Sequence, residues 1–214
     1  MRGRRPAGRS ISCPSCGAPR SLHNPGIVMF ACEFCSSVVY WDEDKVTAAG
    51  NNSLLTEGFS RLYRDATGSF HQKRFRVLGR IRYSFGEGLW DEWFLETSDG
   101  SSLWLTEDQH ELAEQREIEF PGIAAFDQHY IGQKMYLRES EFAIQEMGNA
   151  ECVGLEGELP KNVTLGETYP YLDATSLDGR YSLGLEFDAE TPTAFLGRWL
   201  KYSEIKLDDE GDSW

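Results

Sequence analysis

The chain has 214 residues, 40% hydrophobic and 13% aromatic, with 21 Lys/Arg against 35 Asp/Glu for a formal net charge of −14. That composition belongs to a globular protein of one or two domains and excludes collagen-like, coiled-coil and low-complexity chains. No run approaches the 18 or so consecutive apolar residues of a membrane helix, and the start, MRGRRPAGRSIS, has no apolar signal core, so the expectation is a cytoplasmic protein without membrane insertion.

The charge is uneven. Residues 1–50 hold six Lys/Arg and four Asp/Glu, whereas the remainder holds 15 Lys/Arg and 31 Asp/Glu. An acidic body repels phosphate backbones. Nucleic-acid contact is therefore confined to the N-terminal region, where residues 1–12 read as a disordered basic tail carrying Arg2, Arg4, Arg5 and Arg9.

Residues 13–44 carry the clearest motif. Cys13, Cys16, Cys32 and Cys35 form C-x2-C-x15-C-x2-C, the spacing of a four-cysteine tetrahedral zinc site. Gly17 follows the first pair where a positive φ is expected. HNPG reads as a turn, GIVMFA as a strand and SSVVYW as its return, the layout of a zinc ribbon. Four thiolates leave no position for water, so one structural zinc per chain is expected. About forty residues bury too little apolar surface to fold alone, so the ion replaces a core.

Residues 45–69, with Gly50-Asn51-Asn52, read as a linker with a short helix beginning near Ser53. Residues 70–206 read as an all-β domain. In FRVLGRIRYSF, Phe75, Val77, Ile81, Tyr83 and Phe85 alternate with Arg76, Leu78, Arg80 and Arg82. LWDEWFLET and LWLTE follow across Gly-rich turns to make a meander. Arg80 and Arg82 are expected to meet Glu92 and Glu96 in exposed cross-strand pairs. A second series of strands includes RYSLGLEFD, which sets Tyr181, Leu183, Leu185 and Phe187 on one face and Ser182, Gly184, Glu186 and Asp188 on the other. Gly184 and Gly197 suggest bends of a β-barrel or rolled sheet, and the repeated strand–turn order suggests two related β units. Residues 207–214 read as a frayed acidic tail.

No P-loop, GxGxxG or GxSxG is present, and the four histidines show no ligand spacing. The acids that could divide acid and base work are Asp91 with Glu92, Glu156 with Glu158, and Asp173 with Glu186. Asp91 and Glu92 point to opposite faces of a strand. Glu156 and Glu158, beside a turn, are expected to be solvated. Cys152 reads as a small buried residue. The 27 aromatic residues exceed what a small β core obviously needs. Exposed aromatics would favour an interaction protein, and an enclosed pocket with two acids would favour an enzyme.

Gly79, Ile81 and Tyr83; Trp90 to Trp93; Trp104-Leu105; Gly157 to Pro160; Tyr171 and Asp173; and Glu186 ahead of Phe195 to Gly197 together resemble domain-of-unknown-function family 4178. That resemblance implies a bacterial accessory role in a membrane-stress or polyamine-linked system and supplies no catalytic roster. The expectation is a non-enzymatic zinc-ribbon adaptor that binds a protein partner. The alternatives are nucleic-acid binding through the ribbon and its arginines, and an enzyme using carboxylates of the β domain.

Overall fold

The computed structural model describes residues 9–22, 24–42, 45–52, 55, 60–86, 88–109, 111–187 and 191–208. The ribbon region contains β1 (Arg9–Ser12), β2 (Pro19–Leu22), β3 (Met29–Ala31), β4 (Ser37–Asp42) and β5 (Lys45–Asn52). Then come β6 (Thr67–Phe70), β7 (Lys73–Ser84), β8 (Leu89–Thr97), β9 (Ser102–Asp108) and β10 (Glu111–Ile118). The second half holds β11 (Lys134–Leu137), β12 (Ser140–Leu159), β13 (Thr168–Ser176), β14 (Tyr181–Glu186), β15 (Thr193–Leu200) and β16 (Lys206–Leu207). Two 3-10 turns, Phe126–Gln128 and Tyr202–Glu204, are the only helical elements among the described residues.

The all-β expectation holds, and the sheet is rolled. Strands β7 to β10 form one antiparallel meander and β12 to β15 a second. Last pairs with last (β10 with β15) and first with first (β12 with β7), so the pairings close into a ring of eight strands. The halves also share a turn. In Thr97–Ser101 and Ser176–Arg180 an aspartate (Asp99, Asp178) accepts from the backbone N–H two residues on, and a glycine sits at φ 76° or 72°. Each turn joins the second and third strands of its meander, and each aspartate also accepts from the Thr97 or Ser176 hydroxyl. Two related β units are thus visible in topology and in turn chemistry.

One face of the ring points inward. Trp90 of β8 meets Tyr171 of β13 at 4.9 Å between ring centroids, across the ring from one another. The outer face carries two separate apolar clusters. One, around Val77, Trp93, Leu95 and Leu105, is covered by residues from 62–70 and 200–207, and the other, around Ile144, Leu172, Leu183 and Leu185, by residues near 118–123 and β11.

The ribbon is joined to the barrel. Strand β3 pairs with the end of β12, and Ile27, Met29, Val39 and Trp41 share one core with Ile81, Tyr83, Leu155 and Phe195. Asn24, in the turn before β3, donates to Glu96 and Ser102, which lie on the inward face. The ribbon therefore caps one end of the barrel.

Several expectations are corrected. Residues 45–52, read as linker, form β5 against β4, because Val46 opposite Trp41 gives that stretch a partner face. Residues 9–12, read as tail, pair with β2 as β1. Residues 55 and 60–66 contain no helix, and residues 53–54 and 56–59 of the expected helix, like residues 1–8 and 209–214, lie outside the described residues. The alternation in β7 is broken by a bulge between Val77 and Gly79, so Phe75 and Val77 share the outer face with Arg80 and Arg82 while Ile81 and Tyr83 turn inward. Gly79 faces Gly157 (φ 71°) at the β7–β12 crossing, where a side chain on either would strike backbone carbonyls.

The bulge also changes the ion pairs. Arg80 and Arg82 are buried and both bind Asp91, at 2.8 Å each, rather than Glu92 and Glu96. Arg80 also stacks over Trp93. Removing one member of such a cluster leaves buried charge uncompensated. Asp91→Ala is expected to destabilise the fold by about 3–5 kcal/mol, read from the urea midpoint.

Candidate metal centre and acidic barrel interior

The four cysteines converge as their spacing implies. Their sulfurs lie within 4.8 Å of one another, with Cys13–Cys35 at 3.8 Å and Cys16–Cys32 at 3.7 Å. A tetrahedral ion bound at about 2.3 Å from each sulfur requires edges of about 3.8 Å, so the set fits a metal ion. Two equivalent turns build it. Gly17 donates to the Cys13 carbonyl and Ser36 to the Cys32 carbonyl, and both adopt positive φ, 78° and 56°. Arg20, the one basic residue inside the ribbon, is consumed by Glu33 and by Glu158, to which its Nε and Nη2 donate at 3.2 and 3.0 Å. Glu158 is thus buried and paired, not solvated as the turn beside it suggested.

The second site is the barrel interior. Lys161, on the loop after β12, sends its ammonium between Glu186 (2.7 and 2.9 Å) and Glu92 (3.3 Å). The same nitrogen stands 5.4–5.7 Å from the rings of Tyr83, Trp104 and Phe195. Beyond it open two adjoining cavities of about 70 and 470 Å³, which share Thr106, Asp108, Gln115, Glu146 and Asp173 as walls. Gly184 stands directly beside the Asp173 carboxyl. Around the cavity Gln115 donates to Ser182 and accepts from Thr106, and the Tyr171 hydroxyl donates to Glu146.

Asp173 is exposed to the cavity, where it stands among other carboxylates. Desolvation, reinforced by Glu146, Glu92, Glu186 and Asp108, pushes its carboxyl up to about 7. Asp108 is raised for the same reason, with Glu146 and Glu111 adding to its desolvation. Tyr171 is pushed well above the usual phenol range by burial and by Glu146. Burial also raises the Cys152 thiol to about 12, so it is an inert core group and no activated nucleophile.

Of the acid pairs read from sequence, Asp173 and Glu186 are brought to one cavity. Asp91 and Glu92 are separated by the pleat, one outside among arginines and one inside on Lys161. Glu156 and Glu158 diverge at Gly157. Sequence reasoning missed Lys161, Asp108, Glu146 and Gln115. The alternation that put Glu186 opposite the apolar face was the available signal, and applied to β8, β9 and β10 it also selects Glu92, Asp108 and Gln115. Lys161 sits in a loop and no period marks it.

Two measurements follow from these sites. Chelation of the metal, or Cys16→Ser, is expected to remove about one bound ion per chain and to lower the melting temperature, because the ribbon core depends on the closed thiolate set. Metal analysis and thermal unfolding check it. Because folding raises the Asp173 pKa, the native state holds more protons than the unfolded state between about pH 4 and 7. Its contribution is present at low pH and is lost as pH rises through about 7. Asp173→Asn is expected to raise stability at pH 8 and to flatten that decline in pH-dependent urea unfolding.

Among the described residues, no helix is long and apolar enough to cross a membrane. No curated protein and no solved structure matches the chain. A family model described as a domain of unknown function, DUF4178, matches residues 64–202, from just ahead of β6 to the turn after β15. The chain belongs to the DUF4178 family, with the four-cysteine ribbon lying outside the matched segment.

Proposed function

We propose that the protein is a non-enzymatic adaptor of the bacterial cytoplasm, a zinc-capped barrel that docks a protein partner along β11. The observation that supports this most directly is the edge of β11, which pairs with β12 on one side only among the described residues. Tyr136 and Leu177, both more than half exposed, flank Glu141, and the Tyr136 hydroxyl donates to that carboxylate. Tyr130 and Ile131, equally exposed, stand in the turn that leads into β11. An open strand edge beside large apolar side chains suits an extended segment of another protein, with main-chain bonds for affinity and side-chain contacts for specificity. The membrane-stress or polyamine-linked setting implied by the family resemblance is part of this proposal.

Zinc is the metal we assign to the four thiolates, in a structural role, since the closed shell admits no substrate. Nucleic-acid binding is disfavoured because Arg20 is already held by Glu33 and Glu158 and Arg64 by Glu33 and Asp65. Carboxylate catalysis is the second reading, and one observation favours it: Asp173 and Glu186 line one cavity, with Asp173 near neutrality. Against it, both Glu186 oxygens accept from Lys161, and an ammonium so close holds that carboxylate in its ionised form and weakens it as a base.

The test is reconstitution. A partner identified by purification of the full-length chain from its host is titrated against wild type and against Tyr136→Lys combined with Leu177→Lys. Affinity is expected to fall by about 30-fold or more if these side chains are the anchors. Unchanged affinity of a folded double variant rejects β11 as the docking edge.

A further inference from the structure

The barrel interior is poorly balanced in charge. Glu92, Asp108, Glu146, Asp173 and Glu186 face the connected cavities or the lysine beside them, and Lys161 is the only cation among them in the described residues. Among the described residues Asp108, Glu146 and Asp173 have no cationic partner, and of these Asp108 and Asp173 are also left without a hydrogen-bond donor on at least one oxygen. Asp173 accepts no hydrogen bond from any described residue, and Oδ1 of Asp108 is buried without a hydrogen-bond partner. Carboxylates gathered around one cavity in that condition repel one another unless one is protonated or a cation enters.

The lysine shows what kind of cation the barrel accommodates. Its ammonium sits between two carboxylates and over three aromatic rings, a cage that suits an alkylammonium by charge and by ring quadrupole. The neighbouring space repeats those elements. Trp90, Tyr171 and Phe195 supply aromatic walls, and Asp173, Asp108 and Glu146 supply carboxylates. The acids are spread along the cavity. Among the described residues only the four ribbon cysteines bring three ligand atoms within 4.8 Å of one another, so this arrangement is not a chelate for one metal ion.

We infer that the barrel interior is a binding site for a small organic ammonium ion, which enters beside Asp108, Glu111 and Glu146 and neutralises Asp173 and its neighbours. This goes beyond the adaptor reading and does not depend on β11. A dication binds more tightly than a monocation of the same length, because several carboxylates lack a counter-charge. Binding also displaces a proton. The groups facing Asp173 are Glu92 from β8, Asp108 from β9, Gln115 from β10, Glu146 from β12, Glu186 from β14 and Lys161 from the loop. With its carboxyl near 7, the ionised fraction, and with it the affinity, rises about tenfold between pH 6 and 8.

The experiment is calorimetric titration of the full-length, metal-loaded protein with 1,4-diaminobutane, butylammonium and Mg²⁺ at moderate salt. Saturable one-site binding of the diamine, weaker binding of butylammonium and about tenfold tightening from pH 6 to 8 are expected. Asp173→Asn, which removes repulsion and should fold, is expected to weaken the diamine at least tenfold and abolish the pH dependence. Glu146→Gln gives a second, independent reduction. The inference is overturned by absence of saturable diamine binding, by equal binding in folded Asp173→Asn, or by Mg²⁺ competing at the same site with equal affinity. The Tyr136→Lys and Leu177→Lys protein is expected to bind the diamine as wild type does, so loss of the docking reading and loss of this one are separable.

Discussion

The pairing of β12 with β7 governs the rest of the molecule. Without it the two meanders meet only at β10–β15, and the sheet has two unpaired edges and no interior. Strand β12 accomplishes closure by its length. Its first third pairs with β11 and β13, its middle with β13 and then β7, and its last residues with β3 of the ribbon. That sliding register requires an irregularity where partners change, found between Ile144 and Glu146 and between Cys152 and Gly154. It also requires close backbone approach where the strands cross, which the Gly79–Gly157 contact supplies.

Closure separates charge into two layers. Adjacent residues Asp91 and Glu92 are sent to opposite sides of one strand, and each receives a different cation, arginines outside and Lys161 inside. In the outer set Arg82 holds Asp91 in a two-bond fork and Arg80 adds a third bond, while Arg80 Nε is buried without a hydrogen-bond partner. The inner set has more carboxylates than it has donors. A fold built only for stability would fill that volume with apolar side chains, as small closed barrels ordinarily do. Retaining Asp173, Asp108 and Glu146 there is a departure from local consistency of the kind that marks function.

Much of this was legible in the sequence, for definable reasons. The cysteine spacing fixes its own geometry because ligation tolerates few arrangements, and Gly17 falls at the expected positive φ. The two-residue period of RYSLGLEFD assigned Ser182, Gly184 and Glu186 to one face correctly, because β14 has no bulge. The same reasoning failed in β7, where one extra residue at Leu78 exchanges the faces halfway along. It failed again at β5, whose small and polar residues carry a weak intrinsic signal and become a strand through pairing with β4. The partners of the arginines followed the bulge and were lost with it. Lys161 was beyond reach because its position is set by the loop that follows a strand closing a ring.

That loop connects the metal centre to the interior. The Val163 N–H donates to the sulfur of Met29, the Tyr40 hydroxyl donates to the Val163 carbonyl, and Val28 donates to the carbonyl of Leu159. Two residues before Val163 stands Lys161, whose ammonium holds Glu92 and Glu186. The cysteine-bearing turns flank β3, residues beside and within β3 and β4 bond residues 159 and 163, and the lysine stands between those two. Through this chain of contacts the four-cysteine cluster is linked to a cavity it does not line. The ribbon covers one end of the barrel, while the opposite end, beside Asp108, Glu111 and Glu146, is left without a comparable cover among the described residues.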